Sequence, residues 1–206
     1  MMRAVIIGNG SMYDYEYIAG KLRKGDYIVC ADGGYHHAKK LNVRPDVLIG
    51  DLDSLGENDY DGEVINLPVR KDFTDSEICV KYVVLKDFEE ILMLGFTGTR
   101  YDHSLTNILL LKQISDAGKS ARIVDEHNEI LWCEDENIIY GKKGDIVSII
   151  PVGGDLLGVS TDGLEYPLEN EDLYFAQSRG VSNVMISNKC TITKRAGSGV
   201  VIKARD

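Results

Sequence analysis

The feature that most constrains this chain is a change of rhythm near Asp125. Over residues 1–125, short apolar runs alternate with segments of helical periodicity: strand-like residues 3–8, 27–31, 47–49, 64–67, 90–95 and 121–124 are separated by helical stretches at 13–23, up to Leu41, 74–86 and 101–117. Strands that alternate with helices specify a mostly parallel, doubly wound sheet. From residue 126 the helical pattern stops. Short runs at 130–132, 138–140, 146–150, 156–159, 184–187, 191–193 and 200–203 are separated by turns bearing Gly141, Gly153-Gly154, Gly163, Gly180 and Gly197-Ser198-Gly199. Such spacing specifies an antiparallel β-sandwich. The sequence therefore predicts an α/β domain over 1–125 followed by a β-sandwich domain over 126–206.

In an open α/β sheet, ligands sit at the carboxyl ends of the strands, and here those ends carry acids. Asp32-Gly33-Gly34 follows the second apolar run, and Gly50-Asp51-Leu52-Asp53-Ser54 follows the third. Asp72 and Asp75 follow the fourth, and Asp102 comes just after the fifth. Asp51 and Asp53 stand at i and i+2, which in extended backbone puts them on one side, about 7 Å apart at the Cα atoms. Two carboxylates aimed at one point repel unless a cation lies between them. Mg²⁺ is the natural occupant, because it is held by one or two carboxylates plus substrate phosphates.

Each residue also has a plainer reading. Asp53 and Ser54 are ordinary turn formers, and Asp75 suits the first turn of a helix. Thr74 to Glu77 reads as a capping box with Thr74 at the N-cap. Arg100 reads either as a phosphate clamp, which the planar guanidinium suits, or as a solvent charge. His36, His37 and His103 read as helix-surface histidines. Gly8-Asn9-Gly10 is a weak signal, since it lacks a complete G-x-G-x-x-G and has no P-loop lysine.

Charge narrows the partners. The chain carries a formal charge of −10, which argues against nucleic-acid and anionic-membrane partners, because phosphate backbones demand basic patches. Cys30, Cys79, Cys133 and Cys190 are scattered without a C-x-x-C pair, which suits reduced thiols and a cytoplasmic protein. No signal peptide and no membrane span is expected from the apolar runs.

Six blocks in order resemble the thiamine pyrophosphokinase family: Asp32-Gly33-Gly34; Gly50-Asp51-Leu52-Asp53-Ser54; Lys71-Asp72-Phe73-Thr74-Asp75; Gly98-Thr99-Arg100-Tyr101-Asp102-His103 with Asn107; Thr161 to Leu168; and Ser178 to Asn183. Any one is weak, and together they span nearly the whole chain. The resemblance implies transfer of pyrophosphate from ATP to thiamine, giving thiamine diphosphate and AMP. It implies an ATP- and Mg²⁺-binding catalytic α/β domain, a thiamine-binding sandwich, and a homodimer with sites shared between subunits.

Carried onto this sequence, Asp51, Asp53 and Asp75 would hold Mg²⁺, with Asp72 and Asp32 as further ligands or holders of water. Arg100 and Lys71 would contact phosphate oxygens, with Gly33, Gly34 and Asn107 also on the ATP side. Asp102 would orient the thiamine hydroxyl or accept its proton. Tyr166 would offer the thiazolium cation an aromatic face, and Ser182 and Asn183 would hydrogen-bond the pyrimidine. The chain departs from the family at Lys71, where some members carry Gln, and at Tyr166, where many carry Trp. A metal-dependent phosphohydrolase and a non-catalytic nucleotide or thiamine sensor are the competing readings.

Overall fold

A computed structural model describes residues 2–51, 60–68 and 72–205, and the chain divides into two compact units, 1–126 and 127–206. In the first unit the strands are β1 (Arg3–Ile7), β2 (Tyr27–Ala31), β3 (Val47–Gly50), β4 (Glu63–Asn66), β5 (Glu90–Leu94) and β6 (Ser120–Val124). The helices are α1 (Tyr15–Ala19), α2 (Gly34–Lys40), α3 (Asp75–Val84) and α4 (Tyr101–Asp116). All strand pairs are parallel, in the order β6-β5-β1-β2-β3-β4.

Strands β2, β3 and β5 are mostly β-branched and aliphatic, as is β1 after Arg3, because both sheet faces are covered there, whereas β4 at the end of the order is largely exposed. Val5, Ile7, Ile28, Cys30, Leu48, Leu92 and Leu94 pack with Ile18 of α1 and Tyr35, Ala38 and Leu41 around α2. The intervening residues Ala4, Ile6, Val29, Ile49, Ile91 and Met93 are also fully or nearly fully buried, and side-chain alternation places them on the opposite face, where α3 packs. The chain winds outward from β1 through β2, β3 and β4, then returns to the other side of β1 for β5 and β6. The winding direction therefore reverses between β1 and β5.

The helix expected over 13–23 is only α1, five residues long, because Gly20 ends it and Lys24-Gly25 turns the chain. The expected start of α3 holds: Thr74 is the N-cap, and its Oγ1 accepts from the Glu77 amide at 3.2 Å.

The amino-terminal ends of the strands are tied by an ion pair that sequence inspection missed. Arg3 is buried and donates from Nε and Nη2 to Asp26 at 2.8 and 2.6 Å, and from Nη2 to the Lys21 carbonyl at 2.9 Å. Asp26 also accepts from the Arg23 amide, and Glu90 bridges Arg23 and Arg122.

The second unit contains two antiparallel sheets. One orders β12 (Asn183–Val184), β9 (Ile146–Pro151), β14 (Gly199–Ala204) and β7 (Asn128–Trp132); the other orders β11 (Glu171–Leu173), β10 (Leu156–Asp162), β13 (Lys189–Thr193) and β8 (Glu136–Tyr140). Val147, Ile149 and Val201 from the first share one core with Ile139, Leu156, Val159, Leu173, Cys190 and Ile192 from the second. This is the sandwich that the glycine-punctuated strands implied. Two details differ. The strand expected at 184–187 ends at Val184, where Met185 crosses to an isolated bridge with Leu164. The strand β11 has no apolar run to announce it, since only Leu173 of Glu171-Asp172-Leu173 is buried.

The Arg3–Asp26 pair yields a stability prediction. Breaking a buried pair leaves an uncompensated charge and costs about 3–5 kcal/mol. Asp26→Ala should lower the urea midpoint by that amount of stability with an unchanged slope; a loss below about 1 kcal/mol, typical of exposed pairs, would show that the pair does not hold the sheet.

Candidate active site

The crevice lies where the winding reverses, as the rule for open α/β sheets requires. It encloses about 510 Å³ outside the carboxyl ends of β1, β2 and β5. The loop after β1 supplies Asn9, Gly10 and Ser11, the end of β2 supplies Ala31 and Asp32, and the loop after β5 supplies residues 95–100. The first turn of α3 adds Thr74, Asp75 and Ser76, and α4 adds His103, Ser104 and Asn107.

Two of these walls are joined through the main chain. The amides of Gly8, Gly10 and Ser11 donate to the carbonyls of Leu94, Gly95 and Thr97 at 2.8, 2.7 and 2.8 Å. The approach leaves no room for side chains at the glycines. A Cβ at Gly10 would lie 2.2 Å from the Thr97 carbonyl oxygen, and one at Gly8 would lie 2.7 Å from that of Gly95. Asn107, buried below, donates from Nδ2 to the Phe96 carbonyl at 2.8 Å and holds the same loop from the side of α4. Thr97 donates its hydroxyl to Asp125 at 2.8 Å.

The acids arrive from separate elements. Asp32 sits in a left-handed turn at φ 44°, with its amide bonded to the Ile49 carbonyl at 2.8 Å. A Cβ at Gly50 would lie 2.9 Å from the Asp32 Cβ, so the end of β3, and Asp51 after it, lies beside Asp32. Asp75 presents a buried Oδ1 at the start of α3. Asp32, Asp75, Arg100 and Asn107 thus share the crevice lining, while Asp51 stands next to it.

Other expected residues lie elsewhere. Gly33 and Gly34 are buried behind the lining: a Cβ at Gly33 would strike the Asn9 side chain, and one at Gly34 would lie 2.1 Å from the Ile7 carbonyl oxygen. Their role in the structure is close packing of α2 against the β1 loop. Asp72 is exposed ahead of the Thr74 cap. Asp53 and Lys71 fall outside the described residues.

Arg100 and Asp102 form a forked ion pair at the crevice mouth, Nη2 to Oδ2 at 2.6 Å and Nε to Oδ1 at 3.2 Å. The hydrogen bond from Arg100 holds the Asp102 carboxyl at about 2. A carboxylate so stabilised is a weak proton acceptor near neutrality. It is well suited to orient the guanidinium, or to accept a hydrogen bond.

Among the described residues, no three His, Cys, Asp or Glu side chains form a ready metal cage. Asp32, Asp51 and Asp75 nevertheless give an all-oxygen donor set of the kind Mg²⁺ takes, and Mg²⁺ needs only one or two protein carboxylates beside substrate phosphates. In donor chemistry, as carboxylate oxygens, these residues fit the ion.

In the second unit, Tyr166 and Asn183 hold each other. The Tyr166 amide donates to Asn183 Oδ1 at 3.0 Å, and Asn183 Nδ2 donates to the Tyr166 carbonyl. Asn183 therefore spends its amide group on shaping the Tyr166 loop and leaves the Tyr166 ring exposed. Ser182 sits at φ 59°, its amide bonded to Ser148 Oγ at 3.0 Å.

Sequence reasoning undervalued the hydroxyl-rich wall of Ser11, Thr74, Ser76, Thr97, Thr99 and Ser104. The signal was available in Gly8-Asn9-Gly10-Ser11 and Thr97-Gly98-Thr99, each directly after an apolar run. The first matches no phosphate-loop motif, so its chemistry is carried by backbone and hydroxyls rather than by a recognisable pattern. His103 lines the mouth, and His37 is half-buried rather than a surface histidine.

Comparison with known proteins places these features in context. A family model described as "Thiamin pyrophosphokinase, catalytic domain" matches residues 19–124, and another, "Thiamin pyrophosphokinase, vitamin B1 binding domain", matches residues 134–198. The thiamine pyrophosphokinase of Bacillus subtilis (strain 168) is 27% identical over 178 residues, 80% of each chain. Thiamin pyrophosphokinase 1 of Caenorhabditis elegans is 26% identical over 183 residues, covering 81% of this chain and 74% of its own. The crystal structure of thiamin pyrophosphokinase from Geobacillus thermodenitrificans superposes with a TM-score of 0.84 at 27% identity, covering 100% of this chain and 98% of that one. That of the Bacillus subtilis protein superposes at 0.89 with 24% identity over 99% of both chains, a likeness of fold.

The forked pair gives a pH prediction. Asp102 should stay ionised until the pH falls toward about 2, so its carboxyl ¹³C resonance should not titrate near the ordinary value of about 4. Removing the fork with Arg100→Gln should move the midpoint up to that ordinary range. A wild-type midpoint already near 4 would show that the pair does not persist in solution.

Proposed function

The chain belongs to the thiamin pyrophosphokinase family and transfers pyrophosphate from ATP to thiamine, and we propose that the crevice between the loops after β1 and β5 is where ATP binds. The observation that carries this reading is the position of the crevice at the winding reversal, with hydroxyls and backbone on its walls and Asp32, Asp75 and Arg100 in its lining. Small residues and glycine turns admit a polyphosphate close to the main chain, as nucleotide sites in this architecture do.

The reaction follows from atom balance. The thiamine hydroxyl oxygen bonds to the β-phosphorus, the bond from that phosphorus to the α-phosphate bridging oxygen breaks, and AMP leaves. Positioning and charge neutralisation carry most of such a transfer. Asp51, Asp53 and Asp75 would hold Mg²⁺, with Asp72 and Asp32 as outer partners. Held by these carboxylates, the ion would supply neutralisation of phosphate charge.

Arg100 places its guanidinium on the phosphate oxygens, kept in aim by Asp102 on its other edge, and Lys71 adds a second positive charge. Asp102 also accepts a hydrogen bond from the thiamine hydroxyl, and its low basicity leaves the final proton to solvent. Asn107 keeps the loop after β5 in register below the nucleotide, and Gly33 and Gly34 let the turn bearing Asp32 sit close to it. Tyr166 presents its exposed ring to the thiazolium cation, beside Ser182 and Asn183.

We take the working form to be a homodimer in which the thiamine face of one subunit completes the ATP crevice of the other. A cytoplasmic setting agrees with four buried cysteines that form no disulfide; among the described residues no helix is long and apolar enough to cross a membrane.

Incubation with ATP, Mg²⁺ and thiamine should yield AMP and thiamine diphosphate in equal amounts. ADP with thiamine monophosphate would indicate an ordinary kinase, and phosphate released without thiamine would indicate a hydrolase. For the shared site, Asp51→Asn and Ser182→Trp should each be inactive alone. Unfolded and refolded together, they should regain about a quarter of wild-type activity, because half the randomly paired dimers carry one undamaged composite site. No recovery, with exchange confirmed by a tagged subunit, would overturn the shared arrangement.

A further inference from the structure

His37 is engaged at both ring nitrogens, and neither bond follows from the motifs that define the reaction. Nε2 lies 2.8 Å from the carbonyl oxygen of Gly10, and Nδ1 lies 2.7 Å from the Tyr15 hydroxyl. A carbonyl can only accept, so Nε2 carries the proton and donates it. Nδ1 is then the acceptor, and Tyr15 donates its hydroxyl hydrogen. The rings lie 5.8 Å apart at a tilt of 37°. The two bonds fix one neutral tautomer.

Gly10 is the residue this arrangement holds, and it lies in the crevice wall. Its amide already donates to Gly95 at 2.7 Å, so His37 takes the other polar group of the same residue. Asn9 beside it packs against Gly33, where even a methyl group would meet the Asn9 amide at 2.4 Å. A shift of the Gly10 carbonyl would therefore move Asn9 and Ser11 in the lining and press on the turn that presents Asp32.

We propose that His37 is a positioning residue for the nucleotide wall: held as the Nε2–H tautomer by Tyr15, it fixes the Gly10 carbonyl and through it the β1 loop against the turn at Asp32. The inference rests on the reading that ATP occupies this crevice. Burial is the main influence that keeps His37 neutral, pushing its pKa below the ordinary value. Lys40 and His36 on its own helix act in the same direction, whereas the Gly10 carbonyl and Glu126 favour the charged ring. Protonation would abolish the acceptor at Nδ1, and the bond to Tyr15 would then require the hydroxyl to turn and accept from Nδ1–H. Because the folded state disfavours the charged ring, the unfolded chain binds more protons as the pH falls below the ordinary value of about 6.5, and the contribution of this lock to stability is lost in that direction.

Three measurements on the full chain test the proposal. In ¹H–¹⁵N spectra, His37 should be the neutral Nε2–H tautomer at pH 7 and should titrate below about 6.5; a predominant Nδ1–H form, or a midpoint at or above that value, would overturn it. His37→Ala should raise KM for ATP about fivefold, the effect of one ordinary hydrogen bond, with KM for thiamine held within about twofold by the same conversion. His37→Gln, whose terminal amide can still donate toward Gly10, should recover most of the ATP effect.

Equal KM values for ATP in the Gln and Ala variants, or parallel shifts for both substrates, would reduce His37 to a packing residue and overturn the proposal. If the Ala variant does not fold, the wild-type tautomer and the Gln variant decide, and a fivefold rise in the Gln variant counts against the proposal. Failure of the underlying reading shows separately, as wild-type protein that makes no AMP and thiamine diphosphate.

Discussion

The contact on which the crevice depends is between two stretches of bare backbone. Where the loop after β1 meets the loop after β5, three amides donate to three carbonyls, and the atoms approach so closely that a methyl group at Gly8 or Gly10 would overlap a carbonyl oxygen. Buried amides and carbonyls must be paired, and here each loop satisfies the other. The walls are therefore stiff where they join, with Ser11 and Thr99 in the crevice lining, while Thr97 bonds Asp125 and Asn9 packs against Gly33. Asn107 and His37 reach the same junction from α4 and α2.

The two ends of the first sheet divide the work. At the amino-terminal ends of the strands, charges are satisfied internally: Arg3 with Asp26, and Glu90 between Arg23 and Arg122. At the carboxyl ends the chain places glycines, hydroxyls and the acids Asp32, Asp51 and Asp75. A protein with a formal charge of −10 that handles a polyphosphate needs local positive charge. In the proposed function that charge is Arg100 at the mouth, paired with Asp102.

Much of this was legible in the sequence because it is local. Alternating apolar runs gave the parallel sheet, glycine-spaced short strands gave the sandwich, and Thr74 with Glu77 marked the start of α3. What escaped was non-local or carried by the main chain. Arg3 and Asp26 are separated by 23 positions, and nothing in either segment announces the other. The β1 loop looked unremarkable because phosphate-loop patterns record side chains and spacing, whereas this loop acts through backbone bonds to Gly95 and Thr97. His37 looked exposed because helical periodicity sees only its own helix, not Tyr15 or the Gly10 carbonyl. Strand β11 was invisible because Glu171-Asp172-Leu173 buries a single apolar side chain.

Among the described residues, five that are not glycine have positive φ: Asp32, Asn42, Asn170, Ala176 and Ser182. Two of them, Asp32 and Ser182, one in each unit, are residues to which the proposed function gives substrate-side roles. Left-handed backbone is unfavourable for residues with a side chain and is tolerated where function requires it. At both positions glycine would relax the chain. A laboratory selection that rewarded heat resistance alone would therefore drift toward glycine there, gaining robustness while stripping out a carboxylate from one half of the machinery and a hydroxyl from the other. Under the proposed function, durability and turnover would pull against each other at these two residues.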